Sequence, residues 1–181
     1  MKYFLLFLTI LLTFTSCQST VEKPVVAIIT NMGTIEVTLE SGRAPITVKN
    51  FLTYCNESFY TNTLFHRVIP GFMIQGGGFG TDMKQKKTKA PIQNESGNGL
   101  TNKRGSIAMG RTADLNSATS QFYINLVDNF YLDTNKYAVF GEVTRGLEVL
   151  DKIGALQTQD IGGAFTNIPV QRAVILSIII K

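Results

Sequence analysis

The sequence predicts a mainly β domain of short strands with two packed helices. Three features predict it: short segments of alternating apolar and polar residues, glycine-rich or polar turns between them, and two stretches with apolar residues at helical spacing. With 44% hydrophobic and 17% charged residues, the 181-residue chain has the composition of one globular domain. The strand pattern fits a β-sandwich or a β-barrel, and periodicity alone does not choose between them.

The first two strands are expected to form a hairpin. Residues 25–30, VVAIIT, are apolar, and residues 34–40, TIEVTLE, alternate apolar and polar side chains. Such alternation is typical of a strand with one buried face. The intervening NMG has the composition of a turn, so the chain should reverse there.

Two helices are expected, one early and one late. Residues 44–55, APITVKNFLTYC, place Pro45 where it suits a first helical turn. Their apolar side chains predict one face packed on the core: Val48, Phe51, Leu52 and Cys55. Cys55 is therefore predicted to be a buried thiol. The second helix is predicted over residues 147–155, LEVLDKIGA.

The other strands are short. They are predicted around residues 65–69, 73–76, 106–109, 122–126, 138–143 and 173–180. Because successive side chains of a strand point to opposite faces, Met73 and Gln75 should share one face and Ile74 the other. The same rule groups Gln121 with Tyr123 and turns their apolar neighbours toward the core.

The N-terminus has the features of an export signal. Lys2 precedes an apolar run from Tyr3 to Phe14, which is shorter than the roughly 20 residues that span a bilayer. Small and hydroxylated residues then lead to Cys17, as in a bacterial lipoprotein signal, although Phe14 stands where leucine is usual. A plain secretory signal and an uncleaved membrane anchor remain as alternatives.

The chain is thereby divided into three parts. We predict a signal peptide over residues 1–16, cleaved before a lipidated Cys17, a tether over residues 17–24, and a folded domain over residues 25–181. The protein would then be a periplasmic or cell-envelope lipoprotein tethered to a bacterial membrane.

Net charge and cysteine content limit the possible ligands and the possible disulfides of the chain. The formal net charge of +4 falls to +3 if the segment containing Lys2 is removed, which is too small a bias to predict nucleic-acid binding. If Cys17 carries lipid, only Cys55 remains and no intramolecular disulfide is possible.

Four ordered segments carry a family resemblance. The first surrounds the only histidine, in FHRVIPGFMIQGGGFG at residues 65–80. The others are APITVKNF at 44–51, SATSQFYI at 117–124 and YAVFGEV at 137–143. Together they resemble the cyclophilins, the peptidyl-prolyl cis–trans isomerases, and most closely the compact bacterial members. The resemblance covers nearly the whole chain from about residue 25.

The resemblance implies a closed eight-stranded antiparallel β-barrel capped by two α-helices. It also implies an isomerase that acts on the peptide bond preceding proline in unfolded or folding exported proteins. No metal or cofactor is expected, and a monomer is the default. A proline-peptide-binding module or holdase with incidental isomerase activity is the alternative.

The resemblance also assigns roles to residues. Arg67 matches the catalytic arginine, and Gln75 matches the glutamine that binds the peptide backbone and helps to hold that arginine. The full set of substrate-binding residues it implies is Phe72, Met73, Gln75, Gly110, Arg111, Gln121, Tyr123, Tyr131, Leu132 and Tyr137. His66 is interpreted as structural, because a lone histidine is a poor metal site.

Several positions depart from the usual cyclophilin pattern. Tyr123 replaces a common phenylalanine, and its hydroxyl is a candidate for altering substrate preference. The chain has no tryptophan, and Tyr131 takes the place of one at the groove rim, while Tyr137 replaces a histidine. Weak binding of cyclosporin-type ligands is therefore expected, with isomerase activity less affected. Gly110 and Arg111 replace a common Ala-Asn pair.

Overall fold

A computed structural model of the protein describes residues 23–163 and 165–181. The predicted signal peptide, the lipidation of Cys17 and most of the tether lie outside these ranges. Within them, no helix combines the length and apolarity needed to cross a membrane.

Most strands of the chain join one closed antiparallel barrel. In chain order the elements are β1 (Val25–Thr30), β2 (Gly33–Leu39), α1 (Pro45–Asn56), β3 (Thr63–Ile69), β4 (Met73–Gly80), β5 (Ser106–Met109), β6 (Phe122–Asn125), α2 (Tyr131–Thr134), β7 (Val139–Arg145), α3 (Leu147–Gly154), β8 (Thr158–Gln159), β9 (Ile168–Pro169) and β10 (Val174–Ile180). The barrel order is β1-β10-β3-β4-β6-β5-β7-β2. The eight-stranded barrel predicted from the family resemblance is thus confirmed.

The hairpin of β1 and β2 closes at the turn that the sequence predicted. Ile28 pairs with Ile35, and Thr30 pairs with Gly33 across the turn. The Thr30 hydroxyl donates to the Gly33 carbonyl at 2.6 Å. Gly33 is required here, because its φ is +135° and a Cβ would lie 2.6 Å from a methyl group of Val149 in α3. Helix α3 therefore packs directly against this turn.

Helix α1 begins at the proline the sequence indicated, and a distant carboxylate caps it. Glu95 accepts from the backbone N–H of Ile46 at 3.1 Å and from that of Thr47 at 2.7 Å. A carboxylate at this position satisfies donors that have no partner inside the helix and complements the helix dipole. The contact fixes α1 to the loop that follows β4.

Side chains from α1 and α3 complete the barrel core. Phe51 of α1 meets Phe122 edge-to-face at 5.5 Å between ring centroids, and Leu150 and Ile153 of α3 are fully buried. Cys55 is the buried free thiol that was predicted. Burial raises the pKa of this thiol to about 12, so it is almost wholly protonated at neutral pH.

The structure also contains elements that the sequence did not predict. Helix α2 has only four residues, and β8 and β9 form a separate two-stranded sheet. Strand β4 runs on to Gly80, beyond the predicted end at residue 76. Each of these segments is too short or too rich in glycine to show a clear apolar period.

Candidate active site

Pairing between strands brings the predicted site residues into one row. Arg67 of β3 pairs with Gln75 of β4, Gln75 pairs with Tyr123 of β6, and Tyr123 pairs with Ala108 of β5. Paired residues of neighbouring strands share a face of the sheet. Ile74 belongs to the main core instead, as the alternation predicted. The row therefore lies on the outer face of the barrel wall.

A cavity of about 360 Å³ opens over this row. Its lining residues are Arg67, Phe72, Met73, Gln75, Gly110, Arg111, Tyr123, Tyr131, Leu132, Asn135 and Tyr137. Every residue that the resemblance assigned to the site lines it except Gln121. Asn135 also lines it, and the sequence did not point to this residue.

One end of the cavity is an apolar slot. Met73, Tyr123 and Leu132 are buried there in a small cluster, separate from the barrel core, that also contains Ala108 and Val139. Phe72 packs at its edge and stacks on the half-exposed Tyr131 ring, with centroids 6.1 Å apart and planes 22° apart. The slot is lined by apolar and aromatic side chains, so it suits a small apolar ring.

Arg67 stands beside this slot with its charge unpaired. The side chain is half-buried. The ion pairs within residues 23–163 and 165–181 all involve other cations. A guanidinium without an ion pair can donate to a neutral acceptor bound in the slot. It does not first have to break a salt bridge with a carboxylate.

Gln75 and Gln121 form a polar pair next to Arg67. Gln75 donates from Nε2 to Oε1 of Gln121 at 2.9 Å. Within the described chain, no hydrogen bond joins Gln75 to the guanidinium of Arg67. Gln121 is not among the residues that line the cavity, and its side chain lies against Gly78 and Gly110. The structure thus places Gln121 where it orients Gln75, whereas the sequence grouped it with the residues that contact substrate.

The hydroxyl of Tyr123 is engaged below the cavity. It donates to Oδ1 of the fully buried Asn102 at 2.7 Å. Burial, followed by the influence of nearby titratable groups, raises the pKa of Tyr123. The hydroxyl proton is therefore committed to Asn102, and a bound peptide could meet this oxygen only as a hydrogen-bond donor. That the hydroxyl alters substrate preference stays a prediction.

Asn102 belongs to a buried network that the sequence did not reveal. Its amide nitrogen donates to Asp133 at 2.7 Å, and its oxygen also accepts from Asn125 at 3.1 Å. Asn129 donates to Asn125 at 2.8 Å and to the carbonyl of Phe72 at 2.9 Å. The network therefore joins strand β6, helix α2 and the edge of the slot. Its members come from a strand, a helix and two separate loops, and no spacing in the sequence links them.

His66 neighbours Arg67 in sequence but lies outside the cavity. It is 3% exposed and packs on Phe79 with ring centroids 4.7 Å apart. Its Nδ1 atom is buried without a hydrogen-bond partner. This environment fits the structural role that the sequence predicted.

Comparison with known proteins identifies the family. The model of the cyclophilin-type peptidyl-prolyl cis–trans isomerases matches residues 25–179. The chain belongs to this family. It is accordingly a peptidyl-prolyl cis–trans isomerase, and the cavity just described is its candidate active site.

Bacterial peptidyl-prolyl cis–trans isomerases are among the proteins that the chain resembles. The chain is 53% identical over 156 residues to peptidyl-prolyl cis–trans isomerase A of Dickeya dadantii, covering 84% of this chain and 82% of that protein. It is 50% identical over 159 residues to isomerase B of Escherichia coli, covering 84% and 96% of the two chains.

Solved cyclophilin structures share the fold. A cyclophilin-type isomerase of Cryptosporidium parvum superposes with a TM-score of 0.76 at 27% identity, covering 88% of this chain and 98% of its own. A structure of that protein determined in the presence of the dipeptide Ala-Pro gives a TM-score of 0.74 at 28% identity, covering 87% and 98%.

Proposed function

We propose that this cyclophilin isomerises X–Pro bonds of exported proteins during folding, with Arg67 as the catalytic cation. One observation carries the assignment of Arg67: its guanidinium lines the same cavity as the apolar slot and has no carboxylate partner among the described residues. The slot would hold the proline ring, and Arg67 would then face the atoms of the bond that rotates.

The reaction requires only rotation. Partial double-bond character gives the peptide C–N bond a barrier of about 18–20 kcal/mol, and uncatalysed X–Pro exchange takes tens to hundreds of seconds. In the twisted state the proline nitrogen loses conjugation and recovers a lone pair. A donor directed at that nitrogen binds the twisted state better than either planar state, which is the condition for catalysis.

Arg67 can supply that donor. A charge-assisted hydrogen bond contributes about 1.5–3 kcal/mol, which corresponds to about one to two powers of ten in rate. Gln75, held by Gln121, would position the peptide backbone beside it. The structure of the Cryptosporidium relative in the presence of Ala-Pro supports a proline-containing ligand for this site.

A peptide-binding module or holdase with incidental isomerase activity is the second candidate. The apolar slot alone would serve that role, since binding a proline ring requires no cation. The guanidinium beside the slot favours catalysis, because apolar contacts suffice to bind a proline ring, whereas a cation facing the rotating bond stabilises the twisted state.

Replacing Arg67 by alanine distinguishes the two candidates. We expect the catalysed exchange rate of a short X–Pro peptide, measured by NMR exchange spectroscopy, to fall about tenfold or more. Peptide affinity should fall less, because the slot remains. Arg145→Ala, on the exposed end of β7, removes the same charge away from the cavity and serves as the control. Equal rates for the protein and its Arg67 variant would remove Arg67 from the mechanism.

The N-terminal sequence supports the proposed location. The basic Lys2, the short apolar run and Cys17 would export the protein, attach a lipid and leave residues 17–24 as a tether to the domain over 25–181. Newly exported proteins fold in that compartment, and proline isomerisation can limit their folding. A lipid at Cys17 would hold the enzyme near them at a membrane surface.

Mass spectrometry of the native protein tests this location. We expect the N-terminal peptide to begin at Cys17 and to carry acyl chains. Substitution of Cys17 by serine should remove the acyl mass and release the protein from the membrane fraction. An unmodified N-terminus downstream of residue 17 would contradict lipidation but not export.

A further inference from the structure

We propose that Arg111 makes this enzyme favour substrates with a carboxylate side chain next to the proline. The inference rests on the proposed function, because it takes the cavity as the substrate site. It concerns a second guanidinium, which lines the cavity together with Arg67.

The charged side chains that line the cavity are all positive. Two arginines line it, and none of its lining residues carries a carboxylate. The ion pairs of the described ranges involve Lys23, Lys89, Lys103, Arg104 and Lys181, so neither cavity arginine is neutralised by one. A concave site with a net positive charge attracts anionic groups.

Arg111 is held in place by neutral groups. Its Nη1 donates to the carbonyl of Thr112 at 2.7 Å, and its Nη2 donates to the carbonyl of Asn135. The guanidinium carbon lies 4.4 Å from the centre of the Tyr137 ring. These contacts fix the position of the charge without cancelling it, since neither carbonyl nor ring carries a formal negative charge.

The platform under Arg111 is itself rigid. The Tyr137 ring meets Tyr123 edge-to-face at 5.9 Å, and the hydroxyl of Tyr123 is anchored on buried Asn102. A fixed guanidinium loses little conformational freedom when it binds an anion. A carboxylate gains more from such a group than from a mobile surface lysine.

The guanidinium retains free donors. Two of its five N–H groups meet the two carbonyls, and the buried Nε has no partner. Asp133 is a nearby carboxylate, but among the ion pairs of the described ranges none joins it to Arg111, and its Oδ1 accepts from the backbone N–H of Asn102 at 2.9 Å and from the Asn102 side chain at 2.7 Å. Because the Nε–H is buried, one N–H on each of Nη1 and Nη2 is left for a group on the substrate.

A carboxylate is the substrate group that matches these donors. Its two oxygens accept from the planar fork of a guanidinium, whereas an amide offers one weaker acceptor and an ammonium is repelled. Because Arg111 is only half-buried, solvent weakens the interaction. We expect a preference of about fivefold in kcat/KM for glutamate over glutamine, at the upper end of what a solvent-exposed ion pair contributes.

Matched proline peptides test the proposal. Two series carry glutamate, glutamine or lysine, one series immediately before the proline and the other immediately after it. Exchange rates with the protein, measured by NMR, should give the order Glu, Gln, Lys in one series. Raising the salt concentration should reduce the ratio of Glu to Gln, because screening weakens exposed charge interactions.

Substitutions assign the preference to Arg111. In Arg111→Gln the ratio of Glu to Gln should fall close to one, and Arg111→Lys should keep part of it. Arg145→Gln removes the same charge from an exposed strand end and should leave the ratio unchanged. Thermal unfolding of each variant checks that it is folded.

Two results would overturn the proposal: equal rates for Glu and Gln peptides in both series, or a preference that persists in Arg111→Gln. Failure of the protein to accelerate any of the six peptides would instead count against the proposed function. The two failures are therefore distinguishable.

Discussion

Replacing Asn102 by alanine is expected to lower the free energy of unfolding by about 3 kcal/mol and to reduce isomerase activity. The substitution removes both side-chain acceptor contacts, to Tyr123 and Asn125, and the donor contact to Asp133. Asn102 is fully buried, so water does not replace these partners freely. Each buried polar group left without a partner costs about 1–3 kcal/mol.

Activity should fall because the same network supports the slot. Through Asn125 and Asn129 it reaches the carbonyl of Phe72 at one edge, and through Tyr123 it reaches the floor. Loss of the Asn102 amide would let the edge and the floor of the slot shift. A displacement of about 1 Å can already slow catalysis. We therefore expect a lower kcat/KM even where the variant is fully folded.

Denaturant unfolding and NMR exchange at a temperature below the transition measure the two effects. Tyr123→Phe is the matched control, because it removes one bond of the network and retains the ring. It should cost about 1 kcal/mol, less than the loss of Asn102. Asn56→Ala, at an exposed amide on the last turn of α1, controls for loss of an asparagine side chain. A stability loss for Asn102→Ala no greater than that of Asn56→Ala would show that the network contributes little.

The barrel was predictable in part from local pattern. Clean alternation in residues 34–40 and the helical spacing around Phe51 gave the hairpin and α1 with nearly correct limits. The choice of a barrel over a sandwich came only from the family resemblance, because strand order depends on pairings between residues far apart in sequence. Helix α2, a single turn, leaves no period to detect.

The site was predictable where it lies on strands and unpredictable where it depends on loops. Alternation placed Gln75 with Met73, and register then brought Arg67 beside them. Asn135 and Asn102 belong to loops whose meeting is fixed by tertiary packing. Gln121 shares the face of Tyr123, yet its side chain turns toward Gln75, a rotamer choice that spacing cannot reveal.

Burial of His66 is expected to make the free energy of unfolding depend on pH. The effect should be about as large as the loss expected for Asn102→Ala. The ring is buried and packs on Phe79 of β4, whose own ring meets Phe165. Burial lowers the pKa of His66 to about 4, against a smaller opposing contribution from a backbone hydrogen bond at Leu64. In the unfolded chain the imidazole should titrate near 6.5. The folded protein therefore binds the proton much more weakly than the unfolded chain does.

The protein should lose stability as pH falls from about 6.5 toward 4. Above pH 6.5, His66 is neutral in both the folded and the unfolded state, and the full stability is present. Between pH 6.5 and 4, His66 is protonated in the unfolded chain but stays largely neutral in the folded protein, so unfolding is favoured. The loss should reach about 2 kcal/mol by pH 5 and about 3 kcal/mol by pH 4. Because His66 is the only histidine, denaturant unfolding between pH 7.5 and 5 isolates it from the carboxylates, and His66→Phe should flatten the dependence. An NMR titration of the folded protein that gives His66 a pKa near 6.5 would contradict the burial argument. This test does not require His66→Phe to fold.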